Sequence, residues 1–274
     1  MAATLFVEAF GKLRKDVNSK SLISDEEDLY SVFRARSDSM GWSASSERPS
    51  LLLWGMNEAE VTGDADSSRI GWVQVGLQAG GTIPAIRTPH PIQGSGFYPF
   101  GLIQEAREPS FVLPALIQCL YDALSRFGQI TLDGFQVTAQ YLGPMKESSI
   151  WTLVSALNWF NTVQNGNEQA LVMLDANLIR LQSEAELLAS LRYKNTGSFN
   201  FGPVVNLPEG FSVRPGIETP IRHLYSSGTN LAISVRMPEW TASAAAWVLA
   251  LVIDTARSNA PSKTAEFTVR LMRA

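Results

Sequence analysis

Phe135-Gln136-Val137-Thr138 returns as Phe267-Thr268-Val269-Arg270, and the separation between these two stretches equals the separation between Asp122 and Asp254 in the helical patterns that precede them. Leu120-Tyr121-Asp122-Ala123 matches Val252-Ile253-Asp254-Thr255, and upstream Ala106-Arg107-Glu108-Pro109 matches Val235-Arg236-Met237-Pro238. A shared offset running through a helix, a turn and a strand points to one unit used twice: a strand, an Arg-x-Pro turn, a helix and a closing strand. Duplication of this kind predicts two tandem pseudo-repeats related by a pseudo-twofold.

Around that unit the chain alternates strand and helix patterns. In the first half, the run Leu51-Leu52-Leu53-Trp54, residues 69–77 and residues 100–106 predict strands. Gly80-Gly81 and the prolines at 84, 89, 91 and 99 predict an extended loop at one end of the sheet. A helix is expected from about Ser110, with Leu113, Leu116, Ile117, Leu120 and Leu124 on its core face and Gly128 as its stop. In the second half, Ala170-Leu171-Val172-Met173-Leu174, residues 199–207 and residues 230–236 predict strands, and residues 183–191 and 241–256 predict helices.

Leu5, Phe6, Ala9, Phe10 and Leu13 recur at helical spacing and predict an amphipathic opening helix. Ser24-Asp25-Glu26-Glu27 resembles a capping box that starts a short helix through Leu29, Tyr30, Val32 and Phe33. Ile150, Trp151, Val154, Leu157 and Phe160 predict a linker helix. The expected organisation is an N-terminal helical arm and connector over 1–50, a first α+β repeat over 51–143, the linker helix over 144–167 and a second α+β repeat over 168–274. Each repeat is expected to be a mainly antiparallel sheet with a helix packed on one face, and the cleft between the two sheets is the natural pocket.

The 274 residues are 45% hydrophobic and 18% charged, with seven Trp and thirteen Phe. So much aromatic surface with so little charge predicts self-association to a symmetric homo-oligomer. A net charge of −4 without a Lys/Arg run argues against a nucleic-acid partner. Cys119 is the sole cysteine, which excludes an intrachain disulfide; it reads as a small apolar residue on a helix and suits a reducing, cytoplasmic setting. The N-terminus lacks the basic region of a signal peptide. The apolar stretch 242–253 is broken by Asp254 and Arg257 short of the ~20 residues a span needs, so no membrane partner is expected.

No Walker loop, nucleophile elbow, zinc-protease motif or dinucleotide fingerprint occurs, and nothing calls for a cofactor or metal. The two histidines each lie beside an arginine in a proline-marked loop, Arg87-Thr88-Pro89-His90 and Pro220-Ile221-Arg222-His223. Brought together by the pseudo-twofold, Arg87, His90, Arg222 and His223 suit an anionic ligand; kept apart, they are surface loops. Arg107 and Arg236 either cap carbonyls at a sheet end or serve a site, and Asp122 and Asp254 either meet a partner such as Arg126 or Arg257 or face solvent. Asp25-Glu26-Glu27-Asp28 reads as an acidic helix start, Asp64 and Asp66 offer oxygen ligands for calcium without the EF-hand pattern, and the tryptophans read as core.

Two functions fit. The favoured one is a non-catalytic α+β protein that acts by binding a small anion or a protein partner, or by homo-oligomeric assembly. The alternative is a metal-independent hydrolase or isomerase that uses the Arg/His loops at the interface of the two repeats.

Overall fold

Residues 3–15 form a strand, β1 (Ala3–Lys15), in which Leu5, Val7 and Ala9 alternate with Phe6, Glu8 and Phe10, and all six are buried. A strand covered on both faces carries apolar residues at every spacing, so its pattern satisfies a helical template as well as a strand one. This corrects the expected opening helix: the segment is a strand inside a sheet and is not an arm available to a neighbouring molecule.

The computed structural model describes residues 3–15, 28–42, 54–62, 68–77, 109–140, 160, 166–176, 184–194, 197–206, 229–258 and 266–274. After β1 follow α1 (Leu29–Ser39), β2 (Trp54–Glu60), β3 (Arg69–Leu77), α2 (Pro109–Leu124) and β4 (Gly128–Gln140). Then come β5 (Glu168–Ala176), α3 (Glu184–Lys194), β6 (Asn200–Val205), β7 (Thr229–Met237), α4 (Ala242–Ser258) and β8 (Glu266–Arg273). The expected strand 100–106 and the linker helix 144–167, apart from Phe160 and residues 166–167, lie outside the described residues.

The strands form one eight-stranded sheet in the order β2-β3-β1-β4-β8-β5-β7-β6. Every pairing in it is antiparallel. The fold is therefore α+β. Read from its two edges inward, the sheet gives β2-β3-β1-β4 and β6-β7-β5-β8, and the two sequences meet where β4 pairs with β8. Val137 faces Val269 at the middle of that pairing. The halves thus share one continuous sheet, and the expected cleft between two separate sheets does not form among the described residues.

The four helices make a single layer in which α2 packs on α4, α1 flanks α2 over β2, and α3 flanks α4 over β6. The expected core face of α2, Leu113, Leu116, Ile117, Leu120 and Leu124, is buried against it. α4 is buried almost throughout, from Ala244 to Arg257 with only Trp247 partly open, and it packs against α2, α3 and the β4–β8 seam. Among the described residues no helix is long and apolar enough to cross a membrane. A smaller apolar cluster of Met173 and Ala232, with Leu171, Val205 and Met272 against it, lies on the opposite face of the sheet.

Local chemistry fixes the ends and irregularities. α1 is capped by Asp28, whose carboxylate accepts the Ser31 N–H at 2.8 Å, rather than by the residues at 24–27. That bond holds the Asp28 carboxyl below its usual value of 3.8. Asp28→Ala is expected to lose about 1 kcal/mol in urea unfolding at neutral pH. Because the folded value is depressed, the wild-type contribution is present above 3.8 and fades as pH falls through the lowered value. Gly11, at φ 151°, sits where the β1–β4 register slips by one residue, and a Cβ there would overlap the Thr131 carbonyl oxygen.

Candidate functional site

Strand alternation sends Phe135, Val137, Val269 and Leu271 into the helix-side core and turns the residues between them to the opposite face. Two rows of side chains cross that face. Glu8, Gln136, Arg270 and Met173 align across β1, β4, β8 and β5, and Phe6, Thr138, Thr268 and Asp175 align in the next row. Glu8, Gln136, Thr138, Thr268 and Asp175 are all buried. Polar side chains there must be satisfied or their desolvation penalises the fold.

The contacts meet part of that demand, leaving the buried Asp175 Oδ1 and Arg270 Nε atoms without a hydrogen bond among the described residues. Gln136 Nε2 donates to Glu8 Oε2 at 2.6 Å, and Arg69 Nη1 donates to Glu8 Oε1 at 3.0 Å. The Thr138 and Thr268 hydroxyls share a hydrogen bond of 3.1 Å. The Arg270 guanidinium lies 4.0 Å from the centroid of the Phe10 ring, a cation–π contact, and burial draws its pKa below the ordinary arginine value against the opposing pull of Glu8. Phe6 stacks on Trp72 at 5.0 Å, and Trp72 Nε1 donates to Glu60 Oε2 at 3.2 Å.

Beside these rows, toward β5, β7 and β6, a hollow of about 660 Å³ opens on the same face. Leu171, Met173, Gly202, Ser234 and Met272 line it, and Gln169, Arg236 and Asn200 stand in register at one end. Arg236 is exposed, and among the described residues it makes no ion pair or side-chain hydrogen bond. No sheet-end carbonyl among the described residues takes its guanidinium, which borders the hollow.

A second polar group lies on the helix side. Asp254 is fully buried and is met by Arg257 Nη1 at 3.2 Å. Lys194 Nζ donates to Ser258 Oγ at 2.9 Å and to the Asp254 carbonyl oxygen at 3.4 Å. Asp122 takes Arg36 from α1 at 2.8 Å and Gln118 at 2.8 Å. Neither aspartate is simply solvated: Arg257 is the partner expected for Asp254, whereas Asp122 uses Arg36 rather than Arg126.

Arg87, His90, Arg222 and His223 lie outside the described residues, as do Arg107, Asp64 and Asp66. Cys119 is a buried free thiol whose pKa is pushed up to about 12, chiefly by burial. A thiolate is the reactive form, so native Cys119 is expected to resist 5,5′-dithiobis(2-nitrobenzoate) and to react fully once urea unfolds the chain. Rapid stoichiometric labelling of the native protein would contradict its placement. The buried polar rows had a legible trace, the alternation Phe135-Gln136-Val137-Thr138, but alternation by itself reads as a solvated outer face.

No protein-family model matches the chain, and no curated protein or solved structure matches it.

Proposed function

We propose that the chain is a non-catalytic binding protein, built by internal duplication, that receives its ligand on the face of the sheet opposite the described helices. The hollow of about 660 Å³ carries this reading. Its size falls within the roughly 300–1,000 Å³ of small-ligand sites, and its lining is mainly apolar with a few polar groups gathered at one end. Assembly has less support, because Met40 and Tyr193 are the large exposed apolar side chains among the described residues, too few for a self-association face. Arg87, His90, Arg222 and His223 lie outside the described residues, so the catalytic alternative stands on the sequence alone.

Several features support duplication about a pseudo-twofold through the Val137–Val269 pair. The strand order reads alike from both edges. Trp54-Gly55 on β2 and Phe201-Gly202 on β6 each precede a slip in register against β3 and β7. Arg36 of α1 reaches Asp122 of α2, and Lys194 of α3 reaches Asp254 of α4. The same axis exchanges the two acidic residues of the polar rows, Glu8 and Asp175.

The binding reading is tested by nuclear magnetic resonance with a small-molecule fragment library. Shift changes are expected to gather at the amides of Leu171, Met173, Ser234 and Met272. Hits confined to the helix layer, or no hits at millimolar concentration, would overturn it.

A further inference from the structure

We infer that the hollow takes an unbranched aliphatic monocarboxylate, with its head at Arg236 and its tail running toward Met173. This rests on the binding reading above and narrows it to one chemistry. The layout of the hollow follows from strand register. At one end, Asn200, Arg236 and Gln169 are neighbours across β6, β7 and β5. They offer one guanidinium and two side-chain amides, a donor set that suits a carboxylate. Among the described residues Arg236 has no ion pair, whereas Arg273 at the rim is held by Glu168 at 2.8 Å.

Two residues further along β5 and β7 the character changes. Ser234 and Leu171 are neighbours, with Met272 of β8 beside Leu171. Gly202 lies so close to Ser234 that a Cβ would overlap its hydroxyl, so no side chain from β6 fills the space there. Another two residues on, Ala232 and Met173 face each other and form a buried apolar cluster. From Arg236 to Ala232 the strand advances about 13 Å. A polar end, a narrow apolar floor and that length fit one extended aliphatic chain with one anionic head, and flexible Met173 and Met272 can adjust to it. A branched or multiply charged ligand would meet either the apolar floor or a single guanidinium.

The experiment is isothermal titration calorimetry of the full chain with sodium decanoate. Saturable binding at one site is expected, with Arg236→Ala weakening it tenfold or more while its thermal unfolding stays unchanged. Leu171→Asp, which sets a carboxylate on the floor, is expected to abolish binding. Decanol, the uncharged counterpart, should bind wild type and Arg236→Ala equally. Decanoate binding that ignores Arg236→Ala, or no decanoate binding in a protein whose sheet face opposite the described helices still collects fragments, overturns the monocarboxylate assignment and leaves the binding reading intact. If neither decanoate nor fragments bind, both fall. Co-sedimentation with anionic phospholipid vesicles that Arg236→Ala abolishes would replace the free acid with a membrane surface and likewise overturn the assignment.

Discussion

Asp254→Leu is expected to destabilise the fold by about 3–5 kcal/mol, the penalty for stranding buried charge after one partner is removed. Asp254 is fully buried, and Arg257 and Lys194 are nearly so, at 4% and 7% exposure. The aspartate supplies the negative charge that compensates both cations. Without it Arg257 loses its carboxylate partner at 3.2 Å, and Lys194 keeps hydrogen bonds to Ser258 and the backbone but loses the attraction of the Asp254 charge. A loss of this size is a large share of the 5–15 kcal/mol that holds a typical domain. Urea unfolding followed by circular dichroism measures it. The double change Asp254→Leu with Lys194→Met is expected to recover part of the loss, because it removes a stranded cation as well. A single variant as stable as wild type would show that solvent, not Asp254, balances these charges.

The same cluster predicts a pH response. Burial lowers the Lys194 pKa from 10.5, and Arg257 adds to the depression while Asp254 opposes it. Between the lowered folded value and 10.5, the unfolded chain binds a proton that the folded chain has released, so stability rises with pH across that window. Removing Asp254 takes away the attraction that keeps Lys194 charged, and the window extends to lower pH. Asp254→Leu should therefore gain more stability than wild type as pH rises toward 10.5, with the gain starting at lower pH.

Elements covered on one face were legible in the residues, and elements covered on both were not. Helix α2 declares itself through Leu113, Leu116, Ile117, Leu120 and Leu124, because only one stripe of it meets the core. β3 carries its own β-branched and aromatic run and spans the expected 69–77. β1 is the counter-example. With Leu5, Val7 and Ala9 buried on one side and Phe6, Glu8 and Phe10 on the other, its residues match two periods at once, and only pairing with β3 and β4 selects the strand. The Arg-x-Pro resemblance stands on the sequence alone, because residues 106–108 lie outside the described residues. The site was hidden by the same physics. Polar residues alternating with core residues on a strand read as solvated, and the burial of Gln136, Thr138 and Thr268 depends on tertiary context.

Thr138→Val is expected to cost about 1–3 kcal/mol, and the pairing of Thr138 with Thr268 explains why so small a change should be felt. Both residues are fully buried, and their hydroxyls meet at 3.1 Å across the β4–β8 pairing, next to Val137 and Val269. Valine keeps the shape of threonine but offers neither donor nor acceptor. Either single substitution leaves a hydroxyl buried without its partner, so Thr268→Val should resemble Thr138→Val in magnitude. The double substitution removes both polar groups and replaces them with well-shaped apolar ones, so it should be nearly neutral or mildly stabilising. A double-mutant cycle by urea unfolding isolates the coupling, expected at about 2 kcal/mol or more in favour of the paired states because it equals the sum of the two single losses. Additive losses would mean that each hydroxyl finds other partners when its neighbour is removed. In that case the seam joining the two halves would rest on backbone pairing and the apolar core beneath it, without a contribution from this polar contact.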